Sequence, residues 1–226
     1  MSMVIAINGS PRKNANTATL LQKALDGAAS AGAETELIHL IDLDYTGCVS
    51  CFACKRNGTK FTGSCAVRDG LTPVLEKAMA SDAIILGSPI YLGDVTALMR
   101  AFIERFGFMN VSYNNKRHHS FTGRINAAFF YTMNVPKPAS LLFSYVYRFN
   151  AGVLKKLNGT VKQLVCADTW QFDDYSKYEA SNFDVGKKKR TRETAFPRDC
   201  EKAYNIGRTL SGGRDTGGGR RETARE

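Results

Sequence analysis

Short apolar runs alternate with segments of helical periodicity through the first 170 residues. Four runs cover residues 3–7, 83–86, 125–131 and 161–167, and a fifth predicted strand, residues 35–40, alternates polar with apolar positions. After the first run, small and apolar residues share one helical stripe: Thr17, Leu20, Leu21, Ala24, Leu25 and Ala28. Strands that alternate with helices pair in parallel through right-handed crossovers, with helices on both faces. The sequence therefore predicts an α/β three-layer sandwich.

The polarity of the five predicted strands indicates their positions in the sheet. Runs 3–7, 83–86 and 125–131 are nearly all apolar, as expected of central strands covered on both faces. The other two carry polar residues such as Glu36 and Lys162, which is typical of edges. This pattern fits a doubly wound, five-stranded parallel sheet of order 2-1-3-4-5. Ligands bind such sheets at the carboxyl ends of the strands, so we expect the site in the loops beginning at Asn8, Gly87 and Thr132.

Positive charge is concentrated at the end of the chain. The 226 residues carry a formal net charge of +10, and residues 186–226 contribute +6 of it, with 12 basic against 6 acidic residues. This segment contains a basic run at 187–190 and a Gly-rich stretch, a composition typical of solvated extensions. It offers only Phe196 and Tyr204 for base stacking, which does not favour nucleic-acid binding. We predict one domain over residues 1–185 and a basic, Gly-rich extension over 186–226.

Membrane and secreted classes are not favoured by the sequence. The longest apolar runs are far too short to cross a bilayer. The first residues lack the basic start and the apolar stretch of a signal peptide. We therefore expect a cytoplasmic protein with no membrane contact.

The loop after the first strand, residues 8–17, has the components of a phosphate site without a P-loop or a GxGxxG turn. It combines a glycine, the hydroxyls of Ser10 and Thr17, the guanidinium of Arg12 and the amide of Asn16 ahead of a helix amino terminus, where anions bind well. The alternative is a polar loop whose Asn16 caps the helix.

The loop after the third strand, residues 87–94, contains a proline and two glycines beside Tyr91. Its backbone amides and the tyrosine ring are suited to hold a flat heteroaromatic ring. The alternative is a rigid turn whose Tyr91 packs in the core. Asp94 is predicted to cap the helix that follows.

Together these loops resemble the flavodoxin-like NAD(P)H-dependent FMN reductase family, including its iron-sulfur flavoprotein relatives. The resemblance rests on residues 9–12 with 16–17, on 87–93, and on the following helix at 99–107, and it covers about residues 3–170. It implies a flavodoxin-like, FMN-binding domain in which three loops hold the cofactor. The residues implicated are Ser10, Arg12, Asn16 and Thr17 for the phosphate, Pro89, Ile90, Tyr91 and Gly93 for the isoalloxazine, and Thr132, Met133 and Asn134 in the third loop.

The same resemblance implies an oxidoreductase that takes a hydride from NADH or NADPH and reduces a quinone, free flavin or another small acceptor. The flavin carries the chemistry, so no catalytic residue is expected from the chain. Family members usually form homodimers or homotetramers with the flavin near an interface. The aromatic-rich segment 136–156 is the predicted contact.

Four cysteines form a compact group with the spacing C-x2-C-x2-C-x10-C: Cys48, Cys51, Cys54 and Cys65. Thiolates at such spacing bind zinc or an iron-sulfur cluster. In the iron-sulfur flavoproteins a compact cysteine motif holds a [4Fe-4S] cluster, which would make the protein an electron carrier. Here the fourth cysteine lies farther away, and the flanking residues look closer to cluster-free members. We expect free thiols that line the flavin pocket, with the cluster and a structural zinc as alternatives.

The three histidines are not predicted to be ligands. His39 lies on a predicted strand, where a packed or surface position is expected. His118 and His119 fall in a polar run that is typical of a solvated loop.

Overall fold

The computed structural model describes residues 1–114 and 120–211, and within them a six-stranded sheet. Its strands are β1 (Met3–Asn8), β2 (Glu34–His39), β3 (Ala83–Tyr91), β4 (Asp94–Val95), β5 (Ile125–Thr132) and β6 (Asn158–Cys166). Five of them are parallel, in the spatial order β2-β1-β3-β5-β6, and the short β4 is antiparallel to the end of β3.

The prediction of a parallel α/β sheet is confirmed, but the predicted count of five strands is wrong. The additional strand arises because Leu92 and Gly93 both adopt positive φ, which reverses the chain after β3 and returns it as β4. When this two-residue strand is set aside, the neighbours in the sheet are those predicted from strand polarity. His118 and His119 lie outside the described residues.

In the described part of the chain, five α-helices cover the two faces of the sheet. They are α1 (Asn16–Ser30), α2 (Thr72–Ala80), α3 (Ala97–Asn110), α4 (Ser144–Lys155) and α5 (Val185–Ser211). Shorter 3-10 helices occupy Leu40–Asp42, Ala53–Lys55, Lys137–Phe143 and Tyr175–Lys177. Among the described residues, no helix is both long and apolar enough to span a bilayer.

The alternation of side chains along each central strand produces two separate cores. In β1, Val4 and Ala6 pack with α1 and α5, whereas Ile5 and Ile7 pack with α2, α3 and α4. Because both faces are buried, positions 3–7 of the strand are all apolar, and the polar Asn8 occurs only at its end. Truncating a buried leucine of α1, such as Leu21, to alanine would cost about 2–5 kcal/mol.

Helix α5 differs from the expected solvated extension. Its apolar residues Phe196, Ala203 and Leu210 recur every seven residues, so they form one stripe that packs with α1. The high charge of the segment hid this stripe, because most other positions of the helix face solvent. Residues 186–211 therefore contribute to the sandwich, and residues 212–226 lie outside the described part of the chain.

Helices α1 and α5 touch backbone to backbone at two glycines. A Cβ atom on Gly207 would lie 1.8 Å from the carbonyl oxygen of Ala24, and one on Gly27 would lie 2.0 Å from the carbonyl oxygen of Tyr204. Neither contact is with a flexible side chain, so the helices would have to move apart to admit a methyl group.

Gly207→Ala should therefore destabilise the protein even though alanine is the better helix former. We expect the free energy of unfolding to fall by about 1–3 kcal/mol, the usual cost of overpacking. The control is Gly152→Ala in α4, where a Cβ atom would have no neighbour within 4 Å among the described residues outside its own helix backbone. This change should raise the free energy of unfolding by up to about 1 kcal/mol. Urea unfolding of both variants tests this, and equal stabilities would contradict the close helix contact.

Candidate functional site

Three loops at the carboxyl ends of β1, β3 and β5 surround a cavity of about 250 Å³. Ten of the eleven residues predicted to bind a cofactor line it, as do Ala15, Thr169 and Gln171. The ten are Ser10, Arg12, Asn16, Thr17, Pro89, Ile90, Tyr91, Thr132, Met133 and Asn134. The eleventh, Gly93, is outside the lining, and its carbonyl accepts a hydrogen bond of 2.7 Å from the Tyr145 hydroxyl.

The first and second loops are held together by Thr96, which is only 4% exposed. The Thr96 hydroxyl donates to the Gly9 carbonyl at 2.6 Å, and its amide donates to the Ser88 hydroxyl at 3.0 Å. The Gly9 amide donates in turn to the Gly87 carbonyl at 2.8 Å. These bonds fix the spacing between the two loops on either side of the cavity.

Thr96 is also the amino-terminal cap of α3, because its hydroxyl accepts from the Met99 amide at 3.2 Å. The prediction that Asp94 caps this helix was wrong. Asp94 lies in β4 and forms an ion pair with Arg100 at 2.6 Å.

The first loop is ordered by its own polar side chains. The Asn8 Oδ1 atom accepts from the Ser10 amide at 2.9 Å, and the Ser10 hydroxyl lies 3.2 Å from both the amide and the carbonyl of Arg12. Asn8 Nδ2 donates to His39 Nδ1 at 2.9 Å. His39, for which a packed or a surface position was predicted, is half-buried and supports the loop from the edge strand.

Helix α1 begins behind this loop without a side-chain cap, since Ala15 occupies the cap position. Asn16 does not cap the helix. Its Nδ2 donates to the Trp170 carbonyl at 2.7 Å, and its Oδ1 accepts from Arg192 at 3.0 Å. The amide donors of the first turn and the positive end of the helix dipole are therefore available to an anion in the cavity.

The second loop presents Tyr91 to solvent instead of burying it. The side chain is 45% exposed, and the neighbouring Leu92 is fully exposed. The alternative of a tyrosine packed in the core is therefore wrong, and Tyr91 is free to contact a ligand at the mouth of the cavity.

The third loop joins the first through a buried pair of hydroxyls, Thr17 Oγ1 and Thr132 Oγ1, which lie 2.8 Å apart. It also contacts a loop that the sequence analysis missed, the one after β6. Gln171 accepts from Asn134 Nδ2 through its side-chain oxygen at 2.8 Å and from Arg12 Nη1 through its carbonyl at 2.7 Å. This loop could have been predicted from the sequence, because the carboxyl end of the fifth parallel strand must lie at the same edge of the sheet as the other three loops.

The four clustered cysteines line a pocket of their own against the second half of α3, together with Arg105, Phe108 and Met109. None of them lines the cavity between the loops. The expected placement of the thiols in the same pocket as the three loops is therefore not seen among the described residues. The segment after β2 folds along α3, where the Cys48 amide donates to Glu104 and all four cysteines share a pocket with residues 105, 108 and 109.

Two cations face the cysteine pocket. Lys55 donates to the carbonyls of Phe108, Met109 and Val111 at the end of α3, and burial lowers its pKa. Burial raises the pKa of Cys54, a shift that the neighbouring thiols increase and Lys55 opposes.

Arg105, the second cation, is 1% exposed and pairs with Asp69. Burial by itself would lower the pKa of Arg105, but its hydrogen bonds to Asp69 and to Cys65 raise it. Its Nε atom is buried and has no hydrogen-bond partner in the described chain.

Within residues 1–114 and 120–211, no three His, Cys, Asp or Glu side chains are arranged to hold one metal ion. A single ion needs its ligands around one point, whereas each cysteine of a [4Fe-4S] cluster binds a different iron. The donor set of four thiols beside an unpartnered Arg105 N–H is chemically suited to such an anionic cluster.

The doubly wound sheet and the three-loop cavity define a flavodoxin-like protein. The family model for NADPH-dependent FMN reductases matches residues 2–140, so the chain belongs to this family.

Its sequence is similar to curated iron-sulfur flavoproteins of two archaea. One from Methanocaldococcus jannaschii is 40% identical over 102 residues, which cover 45% of this chain and 50% of that protein. One from Archaeoglobus fulgidus is 39% identical over 102 residues, which cover 45% and 47%. The chain thus spans about half the length of the curated relatives it matches.

Solved structures with the same fold have lower identity. A NAD(P)H:quinone oxidoreductase from Methanothermobacter marburgensis has a TM-score of 0.62 at 13% identity, covering 93% of this chain and 96% of that one. An NADH:FMN oxidoreductase has a TM-score of 0.55 at 18% identity, covering 92% and 89%. At these identities the likeness concerns the fold alone.

The bond between His39 and Asn8 predicts a pH dependence. Burial and, to a smaller extent, Lys13 lower the pKa of His39 from 6.5, while Asp42 acts in the opposite direction. The folded protein then binds fewer protons than the unfolded chain, so the stabilisation is complete above about pH 6.5 and is lost as the pH falls through the lowered pKa.

We expect the free energy of unfolding to fall more steeply between about pH 7.5 and about pH 5 in the parent than in His39→Gln, because glutamine keeps an acceptor but does not titrate. Urea unfolding across this range measures both slopes. Identical slopes would show that His39 titration does not contribute.

Proposed function

We propose that this protein is an FMN-dependent oxidoreductase that takes a hydride from NADH or NADPH and reduces a quinone, free flavin or another small acceptor. The observation that carries the proposal is one cavity, lined by ten of the eleven residues that the family resemblance implicates, from three loops. The match of residues 2–140 to the FMN reductase family model also supports it.

The first loop has the chemistry to hold the FMN phosphate. Ser10 and Thr17 offer hydroxyls, Arg12 offers a positive charge, and the uncapped start of α1 offers amide donors. Arg12 is exposed, and its guanidinium already donates to the Gln171 carbonyl, so one bond holds it at the rim of the cavity. We assign Asn16 to orienting this loop through Trp170 and Arg192.

The second and third loops are assigned to the isoalloxazine. Bound FMN would provide the chemistry of hydride and electron transfer. The role of the chain is to bind and orient it. We assign the backbone amides between Pro89 and Gly93 to the pyrimidine edge, and Met133 and Asn134, which line the same cavity, to the ring as well. The exposed Tyr91 leaves one side of the cavity open to an electron donor and then an acceptor.

A homodimer or homotetramer is part of the proposal. Leu141, Leu142, Tyr145 and Phe149 are large and exposed on segment 136–156, an apolar surface that favours association. The bond from Tyr145 to the Gly93 carbonyl places this surface beside the second loop. A partner seated there would lie close to the proposed flavin.

Variants of the phosphate loop should lose FMN affinity. Arg12→Ala and Ser10→Ala each remove a donor to a charged group, worth about 1.5–3 kcal/mol, so the FMN dissociation constant should rise about tenfold to a hundredfold. Lys13→Ala is the matched control, because Lys13 pairs with Asp42 and does not line the cavity. Titration by quenching of flavin fluorescence measures all three. A parent protein that fails to take up FMN would overturn the proposal.

The second candidate function is an iron-sulfur flavoprotein that carries electrons through a [4Fe-4S] cluster on Cys48, Cys51, Cys54 and Cys65. It is favoured by the convergence of all four thiols on one pocket with two cations, and by the names of the curated relatives. In this form the cluster would exchange single electrons with a partner protein, and nicotinamide would not be the natural electron donor.

Metal analysis of anaerobically purified protein distinguishes the two forms. The cluster form predicts about four irons and four labile sulfides per chain with broad visible absorption. The iron, the labile sulfide and the broad absorption should be lost in Cys54→Ser. They should be kept in the control Cys200→Ser, whose thiol lies on α5. Iron-free parent protein with flavin bands alone would eliminate the carrier and leave the reductase.

A further inference from the structure

Lys188 is buried in a stretch of sequence that is otherwise exposed. It belongs to the basic run 187–190 in the first turns of α5, where Lys187, Lys189 and Arg190 face solvent but Lys188 is only 3% exposed. A lysine is almost never buried to this extent unless its charge is paired. Its position therefore reflects specific partners.

Those partners are an aspartate and the third loop of the cavity. Lys188 Nζ donates to Asp168 Oδ1 and to the Asn134 carbonyl, both at 2.7 Å. The other Asp168 oxygen accepts from the Thr191 hydroxyl at 3.3 Å. Asp168 itself adopts a left-handed conformation, with φ of 56°, at the point where β6 gives way to its loop.

From Asn134 the contacts continue to the proposed phosphate site. The Asn134 side chain donates to Gln171, whose carbonyl accepts from Arg12. One helical turn after Lys188, Arg192 donates to Asn16. The start of α5 thus contacts both the third and the first loop, although it lies beyond residue 140, where the match to the family model ends.

A buried ion pair is a poor source of net stability, because the cost of removing both charges from water offsets their attraction. A hydrophobic pair of similar size would stabilise α5 at least as well. The geometry instead gives the pair a second effect, since one of the Lys188 bonds ends on the backbone of a cavity residue.

We infer that Lys188 and Asp168 are positioning residues for the flavin site: they hold the third loop, and through Gln171 the Arg12 guanidinium, in the arrangement that binds FMN. This inference rests on the proposed function. It makes the basic segment at the end of the chain a component of the site.

The test compares FMN binding with stability in four variants. Lys188→Met removes the positive charge and leaves the Asp168 carboxylate without its ion-pair partner. Lys188→Met with Asp168→Asn removes both charges, so that the protein folds without an uncompensated buried carboxylate. Asp168→Asn completes the double-mutant cycle. Lys189→Met, at the exposed neighbouring position, is the control. The FMN dissociation constant and the visible circular dichroism of bound FMN at saturation are measured below the unfolding temperature of each variant.

We expect the dissociation constant to rise about tenfold in Lys188→Met and in the double variant, with an altered dichroism spectrum, and to stay within about twofold of the parent in the control. Lower thermal stability with unchanged affinity and spectrum would assign the pair a structural role alone and overturn the inference. If the parent itself does not bind FMN, the proposed function is wrong. That result is distinguishable from failure of the inference about Lys188 and Asp168, in which the parent and the variants bind FMN equally well.

Discussion

The site depends on one buried threonine. Thr96 bonds the Gly9 carbonyl and the Ser88 hydroxyl, and it caps α3 at the same time. Leaving these groups unpaired in the interior would cost about 1–3 kcal/mol each, so the first and second loops are held at one separation. That separation sets the width of the cavity to which the third loop and the loop after β6 are then attached.

Helix α3 borders both the cavity between the loops and the cysteine pocket, at different points along its length. Thr96 caps the start of α3 beside the cavity, whereas the cysteine pocket borders Arg105, Phe108 and Met109. At 1.5 Å per residue these positions lie about 14–20 Å further along the helix axis. The four thiols and the predicted cofactor-binding residues therefore line separate pockets, so that the proposed cluster and the proposed flavin can be tested with different variants.

Much of the fold and most of the candidate site were predictable because parallel strands bring their carboxyl ends to one edge. Strand polarity fitted the order of the parallel strands, and the loops at Asn8, Gly87 and Thr132 followed from that order. The residues within these loops came from the family resemblance. The two-residue β4 was not predictable, since it depends on positive φ at Leu92 and Gly93. Helix α5 was hidden by its charge, and the placement of the cysteines against α3 depends on tertiary packing that no spacing in the sequence encodes.

The central claim is that the cavity binds FMN through its phosphate, with α1 and the first loop as the anion site. The most direct measurement is a titration of flavin-free protein with FMN and with riboflavin, which lacks the phosphate. Two or three hydrogen bonds to a charged group, each worth about 1.5–3 kcal/mol, predict that FMN binds at least about a hundredfold more tightly. Equal affinity for the two flavins, or binding of neither, would contradict the account.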